Sequence, residues 1–535
     1  MTRSLTAVCV ALAAGTSLAQ DTIIVPDDVA SLQDALNPAI SGIDPGDTIV
    51  LRDTITHFGT FDVDVADLTI RAAAGDSPVL DANGAGSVLT VDINTASLTL
   101  VGLTIQDGGG VGNVDRGSGV DVIEASALTV VGCTFQNNNS ADLDGGGLSA
   151  SSIDLVIEDS LFLENDARDG GAISLRGSST LTMRDSRFID NIASRDGGAM
   201  RCLMNAASTV EIIDCEFDGN ACNDRGGAIR FDDLGEVLIS GSTFSANTAI
   251  AQAGSDGGAI TFDRVDRSTV VDCEFVGNLA NGAGGAVLSF LDTGPESIEY
   301  IDSRFVSNES SGGTVASFGG NNDFVNCEFI ANTALRSGDG SRDGGAIRFV
   351  QFNEDNRALG NVYNCIFEGN TAVEGGAIGL DSRCTVDVVN STFVANSGTG
   401  GAGAIAALAT GVSVDIFNSV FVGNGDDQVG IGRANESKRT SFNLFDNAET
   451  VSGEFQNNLL ETDPLFVDRS NGDYRLQAGS PVIDAGSSTL YDFGVFGDFA
   501  GNPRVQDDPD TADTGIARTG PVVDMGAFEF NVNSG

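Results

Sequence analysis

Two short phrases return along this chain at a near-constant interval: F-x-x-N and, a few residues later, G-G-A followed by an aliphatic residue. The first phrase ends at Asn138, Asn165, Asn191, Asn220, Asn247, Asn278, Asn308, Asn332, Asn370, Asn396 and Asn424, a spacing of about 29 residues. A period of that length marks a solenoid, because one unit has too few apolar side chains for a core of its own and must stack on its neighbours. Within each copy the order is constant: an alternating strand such as Leu128-Thr129-Val130-Val131, then Cys or Ser, Phe, Asn, a variable acidic loop, Gly-Gly-Ala and a second strand. Alternation with period two over short segments excludes helices for most of the chain. The expected fold is all-β, a right-handed parallel β-helix (β-solenoid) with an N-terminal cap that contains a short helix.

Stacking turns each repeated residue into a column. Phe135, Phe162, Phe188, Phe217, Phe244 and Phe275 are expected to lie above one another inside the coil, with strands of successive turns about 4.8 Å apart. Two residues before each Phe stands a small side chain, either Cys133, Cys215, Cys273, Cys327 and Cys365 or Ser160, Ser186, Ser242, Ser303, Ser391 and Ser419. That position reads as a buried stack of small residues, since no C-x-x-C metal spacing occurs. The Asn is expected at a corner, taking left-handed backbone angles and passing side-chain hydrogen bonds to the next turn. Gly-Gly supplies positive φ and close backbone approach at the next corner, and Ala fits where no larger side chain would. Recurrence in so many copies assigns these phrases to corners and core. An acidic residue before Gly-Gly (Asp169, Asp196, Asp256, Asp343, Glu374) leaves one weak ligand site per turn as the alternative.

Composition agrees and narrows function. With 41% hydrophobic residues the chain is too apolar for disorder, and 69 Gly against 10 Pro without a G-X-Y period means many tight turns. A net charge of -49 repels phosphate backbones and anionic membranes, so nucleic acid is excluded as a partner, while non-specific uptake of divalent cations is favoured. Residues 1–19 read as a secretory signal: Arg3, the apolar run Leu5 to Ala14, and small residues at Ser17-Leu18-Ala19. No later run is long enough to span a membrane as a helix. Cys202 and Cys222 fall outside the small-residue register and are near each other in sequence, so an exported chain could join them in a disulfide.

The paired phrases FIDNIASRDGGAM (Phe188 to Met200) and FEGNTAVEGGAI (Phe367 to Ile378) resemble the repeats of polymorphic outer-membrane proteins, surface-displayed adhesin-like solenoids; the resemblance covers Leu128 to Ile405. Thr22 to Asp53 (TIIVPDDVASLQDALNPAISGIDPGDTIVLRD) resembles the opening of pectate-lyase-like parallel β-helices. Here a strand, an amphipathic helix carrying Val29, Leu32 and Leu36, and the first coil strand would close the open end of the solenoid. Asp463 to Gly486 with DMGAFEF (Asp524 to Phe530) resembles the choice-of-anchor Q domain, which precedes varied sorting tails in that family; the polar stretch Pro503 to Pro521 reads as a loop. The implied layout is a signal at 1–19, a cap and first coils at 20–110, repeats at 111–445, and a C-terminal coil with the anchor-like segment at 446–535. The implied location is secreted, extracellular or cell-surface, with outer-membrane association open.

Chemistry has few candidates. His57 is the single histidine, Lys438 stands in a loop region after the last repeat, and no Trp is present to stack sugar rings. In GGAMRCLM, GGAIRFDD and GGAITFDR, alternation turns Met200, Ile229 and Ile260 inward and Arg201, Arg230 and Thr261 outward, with Asp232 and Asp263 as an outward pair. Arg230 and Arg201 are therefore the candidate catalytic residues, and Asp232 and Asp263 the candidate calcium ligands, of a polysaccharide lyase or glycoside hydrolase acting on acidic glycans. The competing and favoured account is a monomeric surface solenoid with a structural, adhesive or glycan-binding role. It needs no cofactor, leaves calcium open, takes polysaccharide or cell-surface partners, and spends these charges on diagonal surface ion pairs.

Overall fold

The computed structural model describes residues 20–530 apart from 95, 110–118, 252–253, 292–295, 335–342, 352–356, 426, 433–436, 448–453, 491–496 and 518–519; the proposed signal at 1–19 lies outside the described residues. Among the described residues the chain winds as one parallel coil whose faces are sheets of 17, 16 and 14 strands, with a fourth sheet of 10 short strands at one corner. One turn shows the path: Asp154–Glu158 on the aliphatic face, Leu161–Leu163 on the phenylalanine face, Asp166–Asp169 at the corner, and Ile173–Arg176 on the arginine face. Each strand pairs in parallel with its equivalent in the next turn, as Phe162 with Phe188 and Ile173 with Met200. Alternation fixes the register, because a one-residue slip would turn every core side chain to the outside.

The interior consists of columns. Phenylalanine rings from Phe135 to Phe445 stack with nearly parallel planes, successive centroids such as Phe135–Phe162 4.6 Å, Phe217–Phe244 4.8 Å and Phe329–Phe367 5.0 Å apart. The small residue before each Phe is buried, and its hydroxyl, where it is Ser, accepts from the backbone N–H of the previous turn, as in Cys133 N to Ser160 Oγ (3.2 Å) and Ser160 N to Ser186 Oγ (3.1 Å). The repeated Asn forms an unbroken buried ladder. Asn191 Nδ2 and its backbone N–H both donate to Asn220 Oδ1 (3.0 and 3.1 Å), while Asn191 Nδ2 also reaches Phe162 O (3.0 Å). Every polar atom of the amide is used, so the group can be buried without leaving an unpaired donor.

The structure corrects one detail at this corner. The left-handed residue is the one before the Asn: Asn137, Glu164, Asp190, Ala246, Ser307, Ala331 and Ala395 have φ between 52° and 54°. The Asn itself is committed to the ladder and leaves the turn to its neighbour. At the other corner the two glycines have separate duties. Gly226 takes φ +70°, whereas a Cβ on Gly227 would stand 2.0 Å from Gly258 O.

The first end of the coil is closed, and the last coils are covered along one flank. At the start, Thr22–Val25 pairs with Thr48–Leu51, and the short helix Leu32–Ala35, capped by Ser31, buries Leu32, Ala35 and Leu36 on the core, with Val29 packed against it. At the other end the chain leaves the coil and folds back along its flank. Phe466, Tyr474, Leu476, Val482, Ile483, Met525 and Ala527 pack on Ile366, Val394, Val420 and Val422, the outward-facing residues of the last phenylalanine-face strands. Polar contacts fasten it: Ser487 N donates to Asn418 Oδ1 (2.8 Å), Ala527 N to Thr392 Oγ1 (2.9 Å) and Asn364 Nδ2 to Gly497 O (2.8 Å). No helix of the described residues is long and apolar enough to cross a membrane.

Candidate functional site

On the arginine face the register brings the four residues singled out above onto adjacent turns: Arg201 pairs with Arg230 and Thr261 stands beside it, while Asp232 pairs with Asp263. They point away from the core, since Met200, Cys202, Ile229, Phe231, Ile260 and Phe262 between them are core residues. They are nevertheless shielded from solvent: Arg201 is 9% exposed, Asp232 2% and Asp263 6%. The expectation of surface ion pairs is thus corrected to a largely buried network.

Arg230 spends its guanidinium on three carboxylates at once, with Nη1 to Asp196 Oδ1 (2.7 Å), Nε to Asp232 Oδ1 (3.0 Å) and Nη2 to Asp263 Oδ2 (3.2 Å). Arg201 lies between Asp169 (2.7 Å), Asp196 (3.6 Å) and Asp232 (3.4 Å). The chain of charges continues outward through Arg195 on Asp169, Arg168 on Asp144 (2.9 Å) and Arg264 on Asp263 (2.5 Å). Asp169 and Asp196, the acids that precede Gly-Gly, are therefore bound by arginines of their own and neighbouring turns. Arg348, several turns on, repeats the arrangement with Asp381 (2.8 Å) and Asp343 (3.8 Å).

The electrostatics follow from this geometry. Burial works against the charge of Arg230, but the fields of Asp232, Asp196 and Asp263 overcome it and hold the guanidinium above its ordinary value. Burial also pushes Asp232 up, against the pull of Arg230 and Arg201. A general base at Arg230 would have to give up a proton that three carboxylates retain, and the Asp232 and Asp263 oxygens that could face a cation already accept from arginines.

His57 is buried in the strand His57–Phe58; burial lowers its pKa, opposed by a backbone hydrogen bond with Arg52, and its Nε2 has no hydrogen-bond partner. Lys438 lies in the strand Ser437–Ser441 paired with Ser413–Phe417, which replaces the loop expected there. The disulfide left open between Cys202 and Cys222 is not formed. Cys202 continues the core column of Leu175 and Phe231, whereas Cys222 belongs to a separate column with Ala193 and Ala249. The recurring N-x-A after each Phe is the signal that would have placed Cys222 there: in NACND it stands where NIASR and NTAIA have Ala.

A family model described as a right handed beta helix region matches residues 81–200. The fold is a right-handed parallel β-helix. Among curated proteins, the probable autotransporter YfaL of Escherichia coli (strain K12) is 25% identical over 235 residues, covering 40% of this β-helix chain and 17% of the relative. The metabotropic glutamate receptor-like protein R of Dictyostelium discoideum is 28% identical over 207 residues, 36% of this chain and 12% of the relative. The chain thus spans less than a fifth of either relative. Among solved structures, the pectate lyase Pel9A aligns with a TM-score of 0.24 at 12% identity, covering 92% of this β-helix chain and 90% of that one. The alginate lyase AlyF-OU02, solved in complex with G6, aligns with a TM-score of 0.33 at 13% identity over 79% and 87%.

Proposed function

We propose that this chain is a secreted or cell-surface β-helix with a structural and adhesive role, a stiff acidic rod that meets polysaccharide or other cell-surface components through its outer loops. The observation that carries this reading is the self-contained charge network on the arginine face. The one constellation with lyase-like residues is already neutralised from within, with all three guanidinium nitrogens of Arg230 on Asp196, Asp232 and Asp263. Such a network stiffens a wall. The loops between the Asn corner and the Gly-Gly pair differ in length and sequence from copy to copy and are left for recognition. Surface display is supported by the bacterial relative whose name describes it as a probable autotransporter and by the paired F-x-x-N and GGA phrases shared with surface-displayed repeats.

The test is to incubate the purified protein with a panel of polyuronates and calcium, following the absorbance of unsaturated product, and in parallel to measure retention on immobilised glycans and on cells. The expected result is retention above that of an unrelated acidic protein, with no product. Turnover that disappears in Arg230→Ala and in Arg230→Lys, while the far-UV spectrum stays unchanged, would overturn the reading in favour of a calcium-assisted polysaccharide lyase. Absence of retention on every surface would remove the adhesive role.

A further inference from the structure

The folded-back C-terminal segment contains a second acidic cluster, far in sequence from the arginine face. One carboxylate oxygen each of Asp484, Asp507 and Asp513 lie within 4.8 Å of one another. Asp507 and Asp513 are exposed, but Asp484 is fully buried, and its Oδ1 has no hydrogen-bond partner. Its Oδ2 accepts only a long bond from Asp508 N (3.3 Å). A buried carboxylate oxygen without a donor is costly, and in a native protein it calls for a group that the protein atoms alone do not supply.

We propose that Asp484, Asp507 and Asp513 hold a calcium ion that fastens the C-terminal segment to the last coils. Calcium takes six to eight oxygen ligands at about 2.3–2.6 Å; three oxygens within 4.8 Å of one another share a point no more than about 2.8 Å from each, so a shift of a few tenths of an ångström in the exposed side chains brings all three onto one ion. Magnesium demands near-ideal octahedral geometry at about 2.0–2.1 Å and dehydrates reluctantly, so three direct carboxylate oxygens spread up to 4.8 Å apart suit it less well. The loop is already shaped around Asp484: Thr514 N and Gly515 N donate to Asp484 O (2.9 and 3.1 Å), and Asp508 turns the loop by accepting from Thr511 Oγ1 (2.7 Å) and Asp510 N (3.2 Å). The ion would bridge this loop to the stretch that carries Val482 and Ile483 onto the coil, while Asp484 N donates to Asp524 Oδ1 (2.7 Å) and ties in the last residues. The net charge of -49 raises the cation concentration around the whole molecule, but among the described residues only this cluster combines three converging carboxylates with a buried carboxylate oxygen that has no donor.

The experiment strips the full chain with a chelator and titrates calcium chloride by calorimetry in a buffer of moderate salt, with magnesium chloride as a second arm. Limited proteolysis reports on residues 500–520. One saturable calcium site is expected, with slower cleavage of the segment when it is filled. Asp507→Asn with Asp513→Asn, both exposed and so harmless to folding, should weaken binding roughly ten- to hundredfold and abolish the protection. Asp62→Asn with Asp64→Asn, which removes the same charge from the first coils, should leave both unchanged. The proposal is overturned if calcium uptake is unsaturable and screened away by salt, if magnesium binds as well as calcium, or if both double variants behave alike.

Discussion

At the residue scale, the repeat dictates backbone chemistry more than side-chain chemistry. The two glycines of each GGA phrase, the Phe and the buried Asn could all be assigned from recurrence alone, because a position filled identically in every turn must serve the coil itself. The left-handed residue could not. It is Asn137, Ala246, Gly277 or Ser307 in different turns, so no letter marks it, and only the ladder geometry shows that the following Asn has no freedom left to make the turn. A direct contrast follows. A Cβ on Gly227 would meet Gly258 O at 2.0 Å and Thr248 N at 2.7 Å, both backbone atoms of the next turn, whereas a Cβ on Gly277 meets nothing within 4 Å. Gly227→Ala should therefore force adjacent turns apart and cost about 3 kcal/mol, the upper end of what overpacking costs. Gly277→Ala places at φ +62° a residue that the chain itself uses at Ala246, Ala331 and Ala395, so its cost should stay near 1 kcal/mol. Denaturant unfolding of the two variants checks the order, and equal losses would contradict the tight approach at Gly227.

At the scale of elements, alternation placed Arg201, Arg230, Asp232 and Asp263 on the outer side of their strands, and the register confirms it. Their burial was not legible. It depends on how arginines from neighbouring turns, such as Arg195 and Arg264, fold over the same carboxylates, and those residues sit at different offsets from the repeat in each turn. The distinction has an energetic consequence. Arg187 and Glu216 form an exposed pair at 2.6 Å, with Arg187 more than half accessible, and such pairs contribute about 0–1 kcal/mol. Arg230 neutralises three shielded carboxylates, and removing one partner of a buried network leaves charges stranded at a cost of about 3–5 kcal/mol. Arg230→Ala should accordingly lower stability several-fold more than Arg187→Ala in parallel unfolding experiments. If the two losses were alike, the arginine face would be wetter than its geometry indicates, and its carboxylates would be open to a cation or a substrate.

At the scale of the whole molecule, a coil of stacked turns must end somewhere, and each end exposes strand edges and apolar rungs to water. The N-terminal closure was visible in the sequence because a helix with Val29, Leu32 and Leu36 on one side announces itself. The C-terminal fold-back along the flank was hidden, since its contacts join residues far apart in the chain, 69 positions for Asn418 to Ser487 and 135 for Thr392 to Ala527. The outward letters of the phenylalanine face give little away, since Leu163 and Ile189 of early turns are as apolar as Val394, Val420 and Val422 of late ones. What differs is burial: the early residues stay half-exposed, whereas the returning segment covers the late ones. Val394→Asp should therefore act on the segment and spare the coil: it forfeits about 1.5–3 kcal/mol of apolar burial and sets a carboxylate beside Glu368 on the adjacent strand. Limited proteolysis should then cut within residues 460–530 at least several-fold faster, while the far-UV spectrum and the main thermal transition of the coil remain as they were. Loss of the coil transition together with the segment would mean instead that the fold-back is part of one cooperative unit, and that the last turns cannot stand without it.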